Sequence, residues 1–161
     1  TDLDAITLFS KFGKYPLLVT PDLPLVRKKL CDYYYAIGYK FTTIISRDAR
    51  VSKSSRLGMG TIVQHGVSIS SSSTIGNFVK LNTCSNLMHD CSIGDYSTIA
   101  PNAVVLGRVK IQNLCYIGSN STILPNIEIK QSSIIGAGAV VTKNTDEGIT
   151  VVGVPARKLV K

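Results

Sequence analysis

Tryptophan is absent from this chain of 161 residues, and aromatic residues make up only 7% of it. A hydrophobic core must therefore be filled by Ile, Val and Leu. No apolar run approaches the roughly 20 residues of a membrane-spanning helix. The N-terminus also lacks the basic stretch and apolar stretch of a signal peptide. The length predicts one domain, or one domain plus a fragment. We expect no membrane partner and a location in the cytoplasm.

Metal-ligating and redox residues are scarce as well. None of the four cysteines, Cys31, Cys84, Cys91 and Cys115, belongs to a C-x-x-C pair. We therefore expect reduced thiols rather than disulfides. A zinc site with three imidazoles needs more than the two histidines of one chain, His65 and His89. Their spacing does not place them on one face of the coil inferred below, so no metal is expected.

Acidic residues are few, with 10 Asp and Glu against 18 Lys and Arg, a formal charge of +8. Such an excess raises the question of nucleic-acid binding. The basic residues are unevenly spread, however, because 57–142 holds only Lys80, Arg108, Lys110 and Lys130. No nucleic-acid motif accompanies them. We expect a small anionic ligand, such as a nucleotide or a coenzyme phosphate, and no nucleic acid.

The feature that decides the fold is a repeat with a period of six, in which every sixth residue is Ile, Val or Leu. Its 17 members are Ile45, Val51, Leu57, Val63, Ile69, Ile75, Leu81, Leu87, Ile93, Ile99, Val105, Ile111, Ile117, Ile123, Ile129, Ile135 and Val141. The residue four places after each member is small or β-branched throughout. We call the 17 aliphatic residues the ladder, and each unit of the repeat a hexad.

A period of six suits short strands. On a helix, steps of six would scatter the ladder over three sides. In a strand, positions i and i+4 share one face, but a hexad leaves little room for both strand and hairpin turn. The remaining solution is a coil of short parallel strands with three sides, and so three hexads, per turn. Residues at equivalent places in successive turns then stack, roughly 4.8 Å from one another.

Several hexads resemble those of the hexapeptide-repeat acyltransferases. The resemblance lies in Ile75-Gly76, Ile93-Gly94, Ile117-Gly118, Ile135-Gly136 and the tail IIGAGAVVTKNTDEGITVVGVPARKLVK at 134–161. It implies an all-β, left-handed parallel β-helix, usually assembled as a homotrimer. We assign residues 45–146 to the β-helix and 147–161 to a short C-terminal tail.

Residues 1–44 lack the repeat and are predicted as a partial α/β segment of βαβ type. We expect strands at 16–20 and 41–45 around a helix at 24–37, which Gly38 ends. The segment resembles the end of the N-terminal domain in a subfamily of sugar acetyltransferases. Those enzymes acetylate amino groups of nucleotide-linked sugars or hydroxyls of sialic acids. Their Gly-rich turn near the nucleotide is missing here, so the chain looks truncated or natively short, and nucleotide binding by this segment stays open.

The stretch HDCSIGD, from His89 to Asp95, resembles the H-[DE]-C-x-I-G-[DE] stretch of that subfamily, whose histidine is the general base. One turn of the coil beyond His89 is Gly107, which should leave a backbone N–H beside the imidazole. The resemblance implies that the Gly107 N–H binds the thioester oxygen, and we expect Asp90, or a carboxylate from elsewhere, to fix the tautomer of His89. His65 is interpreted as structural.

The resemblance also implies ligand contacts. Asn82 matches an asparagine that contacts the acceptor, whereas Thr98 stands where relatives often have a second histidine near it. Acetyl-CoA is expected as cosubstrate. Its predicted contacts are Gly107, Ser119, Ala137, Gly153, Pro155, Arg157 and Lys158. For Gly153 and Pro155, with Val154 between them, a turn of the chain off the final coil is an equal alternative.

The predicted function is direct transfer of an acetyl group from acetyl-CoA to an amino group of a nucleotide-linked sugar, in polysaccharide biosynthesis. O-acetylation of a hydroxyl, as on sialic acid, requires the same base, so the sequence does not choose between the two. A non-catalytic β-helix scaffold is the alternative of a different class. A nucleophilic role for Cys84 or Cys91 is disfavoured, because Cys91 falls on an inward position.

Overall fold

The computed structural model describes residues 4–160, in which short parallel strands wind into a three-walled prism. The eight-stranded wall contains β1 (Ile44–Ile45), β4 (Ile62–Val63), β7 (Lys80–Leu81), β10 (Thr98–Ile99), β13 (Tyr116–Ile117), β16 (Ile134–Ile135), β18 (Thr150–Val152) and β19 (Arg157–Lys158). The six-stranded wall contains β2 (Arg50–Val51), β5 (Ser68–Ile69), β8 (Asn86–Leu87), β11 (Val104–Val105), β14 (Thr122–Ile123) and β17 (Val140–Val141). The five-stranded wall contains β3 (Arg56–Leu57), β6 (Thr74–Ile75), β9 (Ser92–Ile93), β12 (Lys110–Ile111) and β15 (Glu128–Ile129).

The ladder fills the prism, as the repeat predicts. Each strand from β1 to β17 ends on a ladder residue, and paired strands are three hexads apart, as in Ile99↔Ile117. Ladder residues from Val63 to Val141 are at most 2% exposed, whereas Ile45, in the first coil, is 47% exposed. The core is therefore one continuous aliphatic column, which confirms the predicted β-helix.

Each corner turns on one residue in the left-handed backbone region. Eleven non-glycine residues have φ between 53° and 63°, one in each hexad from Ser72 to Ser132, and Gly60, Gly66 and Gly138 continue the series. Asn, Asp and Gly tolerate this conformation, but bulky side chains strain it by roughly 1–2 kcal/mol each. Phe78 and Tyr96 adopt it where their rings stack at 5.1 Å under the N-terminal segment. Packing against that segment offsets the strain.

Residues stack along three corners, which we name by the walls they join. The 8–6 corner contains Arg47, His65, Thr83, Pro101, Ser119 and Ala137. The 6–5 corner contains Lys53, Ser71, His89, Gly107, Pro125 and Lys143. The 5–8 corner contains Met59, Asn77, Asp95, Asn113 and Gln131. Since a triangle has one wall opposite each corner, the 6–5 corner lies opposite the eight-stranded wall.

The N-terminal segment packs on the eight-stranded wall and the 5–8 corner. It contains α1 (Ala5–Phe12), which the sequence did not predict, and α2 (Pro24–Ile37), which has its predicted bounds and ends at Gly38 with φ 106°. The strands expected at 16–20 and 41–45 are wrong in extent. They are reduced to a bridge between Leu17 and Phe41 and to β1 in the eight-stranded wall, because the backbone carbonyl of Thr20 accepts from Lys80 Nζ of the prism and not from a neighbouring strand.

Arg27 fastens this segment to the prism. Its guanidinium is 1% exposed and donates to the carbonyl oxygens of Phe78 and Tyr96, at 2.8 and 2.6 Å. The same group donates to Pro21 O and to Thr98 Oγ1. Burial lowers the pKa of Arg27 to about 10, so the group stays charged at neutral pH. A buried cation with this many acceptors fixes one docking geometry.

The C-terminal tail adds to a wall before it ends. β18 pairs in parallel with β16, and β19 then pairs antiparallel with β18. The tail thus contributes one more strand to the prism, and the boundary at 146/147 stays a prediction. None of the helices among residues 4–160 is both long and apolar enough to cross a bilayer.

Candidate active site

His89 and Gly107 meet on the 6–5 corner, one coil apart, as their spacing predicts. A Cβ built on Gly107 would lie 2.8 Å from both Cε1 and Nε2 of His89. The imidazole therefore covers the α-carbon of Gly107 in a space that any side chain would fill. The side chain of His89 is 46% exposed, so the ring is open to ligands.

Asp90 fixes the orientation of the imidazole. Its Oδ2 lies 2.8 Å from His89 Nδ1, and its backbone occupies the left-handed corner position with φ 60°. This torsion turns the carboxylate back to the preceding residue. A carboxylate at Nδ1 favours the tautomer with the proton on Nδ1, which leaves Nε2 free to accept one. Nε2 is also the atom beside Gly107.

The backbone N–H of Gly107 has no acceptor among the described residues. Along the 5–8 corner, by contrast, the N–H of Asn77 donates to Asp95 Oδ1 and that of Asp95 to Asn113 Oδ1, at 2.7 and 2.8 Å. The residue one coil beyond Gly107 is Pro125, whose ring offers no acceptor. An N–H without a partner is a group that a ligand oxygen can satisfy.

Two of the predicted acceptor contacts lie elsewhere in the chain. Asn82 and Thr98 face out from the eight-stranded wall, opposite the 6–5 corner. Asn82 Nδ2 donates to Asp22 Oδ1 at 3.0 Å, and the hydroxyl of Thr98, which is fully buried, donates to Asp22 O at 2.6 Å. Within one chain both residues therefore hold the N-terminal segment. Their predicted acceptor contact stays a prediction.

Asp22 is itself held as a carboxylate. Burial alone would raise the pKa of Asp22, but hydrogen bonds from Lys80 and Asn82 outweigh burial and lower it from its ordinary value. Lys80 Nζ lies 2.9 Å from Asp22 Oδ1 and donates to Thr20 O at 2.7 Å. Charge and hydrogen bonds thus reinforce the docking of the segment on this wall.

Apart from Gly107, the predicted coenzyme contacts fall into two groups. Ser119 and Ala137 stack on the 8–6 corner, where the N–H of Gly138 donates to Ser119 O at 2.8 Å. Gly153 and Pro155 lie in the exposed turn between β18 and β19, and that hairpin also presents the basic side chains of Arg157 and Lys158. Within one chain, neither group touches His89.

Lys143 lies close to Arg157 and Lys158, two of the predicted coenzyme contacts. Together with Arg157 and Lys158 it lines a cavity of about 260 Å³ at the C-terminal end of the prism. Lys143 also lies on the 6–5 corner, three coils beyond His89. Lys143 is not among the site residues predicted from the sequence, although counting three whole turns from His89 leads to it.

The two cysteines of the central coils are poor nucleophiles. Burial raises the pKa of Cys115 to about 11 and also raises the pKa of Cys91. Both thiols point into the prism, where Cys91 Sγ contacts Leu106 O at 3.2 Å. Among residues 4–160, no three His, Cys, Asp or Glu side chains converge as metal ligands would.

Alkylation of the native protein by iodoacetamide at neutral pH is expected to modify Cys84 before Cys91 and Cys115. Cys84 is half-buried, whereas the other two are buried and hold their protons because their pKa values are raised. Thiolate, not thiol, reacts. Peptide mass spectrometry over time measures the order. Equal rates at Cys84 and Cys91 would contradict this packing and reopen the question of a cysteine nucleophile.

The family model for bacterial transferase hexapeptides matches residues 72–107 and 108–143. Membership of this repeat family implies that the parallel β-helix is left-handed. None of the curated protein sequences matches the chain. The folds of several solved proteins do, over nearly the whole chain.

PerB from Caulobacter crescentus, solved with CoA and GDP-perosamine, is 30% identical with a TM-score of 0.93, and the match covers 98% of this chain and 76% of that one. WeeI from Acinetobacter baumannii is 32% identical with a TM-score of 0.87, covering 94% and 76%. The acetyltransferase domain of PglB from Neisseria gonorrhoeae, solved with acetyl coenzyme A, is 27% identical with a TM-score of 0.90, covering 96% and 76%. A GDP-perosamine N-acetyltransferase from Caulobacter crescentus, crystallised with one histidine replaced by alanine, is 29% identical with a TM-score of 0.95, covering 99% and 76%.

Proposed function

We propose that this chain, which belongs to the bacterial transferase hexapeptide family, transfers the acetyl group of acetyl-CoA to an amino group of a nucleotide-linked sugar. The observation that carries the proposal is the imidazole of His89 above Gly107, with Nδ1 held by Asp90. A base and an unpaired N–H within one contact distance are what acyl transfer requires. The acetyl donor and amino-sugar acceptor are those of the similar acetyltransferases.

The groups on this corner divide the reaction between them. The acceptor nitrogen attacks the carbonyl carbon of the thioester, and His89 Nε2 takes the proton that the attacking nitrogen loses. Asp90 stabilises the resulting imidazolium through Nδ1–H. The negative charge that develops on the carbonyl oxygen accepts a hydrogen bond from the Gly107 N–H. The C–S bond then breaks, His89 returns its proton to the departing sulfur, and CoA leaves as the thiol.

The position of the site on a corner supports assembly as a homotrimer. The N-terminal segment covers the wall opposite His89, so one chain offers only one side of a cleft at the 6–5 corner. A neighbouring prism would supply the other side. Its 8–6 corner, with the small residues Ser119 and Ala137, suits a close approach to the pantetheine. An acceptor contact by Asn82 would then be made to the sugar at a neighbouring active site.

The basic C-terminal end completes the proposed coenzyme path. Lys143, Arg157 and Lys158 would meet the CoA phosphates, to which cations are attracted. Gly153 and Pro155 would shape the turn that presents them. The acetylated sugar would serve polysaccharide biosynthesis in the cytoplasm, in keeping with the free state of all four cysteines.

The proposal is tested by assaying release of free CoA with matched pairs of acceptors. Each pair contains a nucleotide-linked amino sugar and the corresponding nucleotide-linked sugar with a hydroxyl in place of the amine. We expect turnover with the amine and a mass gain of one acetyl group on its nitrogen. Turnover of the hydroxyl member alone would replace the proposal with O-acetylation. Turnover of neither member, with sialic acid also inert, would favour a non-catalytic scaffold.

A further inference from the structure

A polar cavity of about 390 Å³ opens on the six-stranded wall, near the first coils and away from the coenzyme end. Its lining residues are Asp48, Arg50, His65, Gly66, Ser68 and Asn86. The proposed transfer reaction uses none of them. The cavity nevertheless lies on the wall that leads to His89, which follows closely after β8.

Three of the lining residues form one outward column. Arg50, Ser68 and Asn86 occupy the first position of β2, β5 and β8, and they pair as Arg50↔Ser68 and Ser68↔Asn86. Two strand spacings, roughly 10 Å, separate the ends of this column. All three side chains can donate hydrogen bonds; one N–H of Asn86 Nδ2 donates to Cys84 O at 3.1 Å, which leaves its second N–H for a ligand. The column is therefore a row of hydrogen-bond donors that runs from the first coil to β8, the strand that precedes His89.

Arg50 is the charged member of the column. Within residues 4–160, Arg50 has no ion-pair or hydrogen-bond partner for its guanidinium. The carboxylate that lines the cavity, that of Asp48, directs its Oδ2 to His65 Nδ1 at 3.1 Å and not to Arg50. Lys53, exposed on the adjoining 6–5 corner, is likewise without a partner in this part of the chain. A free guanidinium beside hydroxyl and amide donors is suited to phosphate oxygens.

Two phosphate-bearing molecules take part in the proposed reaction, and their positions differ. The basic residues Lys143 and Arg157 lie beyond His89 toward the C-terminal coils, where CoA is proposed to bind. Arg50 lies on the other side of His89, toward the first coil. A sugar amine at His89 with its diphosphate extending away from the thioester would reach the column, since a hexose and its phosphate span a length comparable to two strand spacings.

We propose that Arg50, Ser68 and Asn86 bind the diphosphate of the nucleotide-linked acceptor. This inference rests on the proposed function, and it names the residues that hold the acceptor at a distance from the reacting amine. Arg50 pairs with the phosphate charge, and the hydroxyl of Ser68 and the amide of Asn86 donate to phosphate oxygens. The sugar is thereby directed along the wall to His89.

The test compares Arg50→Ala with Arg56→Ala. Both variants remove one exposed arginine from the first coil, but Arg56 lies on the five-stranded wall, away from the column. Arg50→Ala is expected to raise KM for the nucleotide-linked acceptor about tenfold or more, as loss of a charge-assisted hydrogen bond predicts. Its kcat and its KM for acetyl-CoA should not change. Arg56→Ala should match the unmodified protein in all three.

Calorimetry separates this inference from the proposed function, with GDP, UDP and dTDP as probes and CoA as comparison. Weaker binding of a nucleoside diphosphate to Arg50→Ala, with unchanged CoA binding, supports the site even if no acceptor is acetylated. Weaker CoA binding instead would assign the cavity to the coenzyme and overturn the inference. Equal binding of all probes and equal KM would overturn it while leaving the acetyltransferase activity intact.

Discussion

Replacing His89 by alanine is expected to lower kcat/KM by about 10²–10⁴-fold, the usual contribution of a general base. The imidazole is the group beside Gly107 whose Nε2 is free to accept the proton of the attacking amine. The loss should appear in kcat, because binding of acetyl-CoA does not require a proton acceptor. Steady-state rates with the preferred amino sugar measure it.

The fold should survive this substitution. His89 is not a ladder residue, and its side chain is 46% exposed. Met59→Ala is the matched control, because Met59 occupies the same place in its hexad, is 49% exposed, and lies on the 5–8 corner, away from the proposed cleft. It should retain full activity. A His89→Ala protein with unchanged melting temperature and unchanged kcat would remove the assigned base.

Gly107→Ala is expected to be nearly as severe, with a loss of about 10²–10³-fold in kcat. The new methyl group would lie 2.8 Å from Cε1 and Nε2 of His89, closer than a Cβ packs. The ring must rotate away, which separates Nε2 from the backbone N–H that is proposed to bind the carbonyl oxygen. The backbone torsion of Gly107 is not left-handed, so alanine itself causes no strain there.

A double variant distinguishes displacement of the ring from damage to the fold. Combining Gly107→Ala with His89→Ala removes the clash, so the double variant should be at least as stable as Gly107→Ala alone. Its activity should be no lower than that of His89→Ala, because the two residues act as a unit. Losses that simply multiply would show that Gly107 and His89 act independently.

The prism could be predicted from the sequence because its information is local and repeated. One aliphatic residue in every six indicates which side chains point inward. With 17 repetitions, no other register of the strands would bury all of these residues. The pairing of His89 with Gly107 followed from the same repeat, since stacking in a coil of three hexads depends only on counting whole turns.

The N-terminal segment was harder to predict because its contacts are distant and involve the backbone. Arg27 donates to carbonyl groups of Phe78, Tyr96 and Ser97, far along the chain, which no side-chain pattern records. The apolar stretch at 16–20 was interpreted as a strand, yet only one bridge forms, at Leu17. Asn82 and Thr98 were grouped with His89 by resemblance, but a count of hexads places them on the opposite wall.

The single left-handed residue in each hexad from Gly60 to Gly138 makes the length of the prism adjustable. Every coil repeats the same three turns, and each coil contacts only its neighbours. If one whole coil C-terminal to the coil of Gly107 were deleted or duplicated, every later side chain would therefore still point inward or outward as before. An insertion or deletion that is not a multiple of six residues would instead shift every later residue to a different place in its hexad. Natural variation in chain length among such proteins should accordingly come in whole turns or as excursions from a corner.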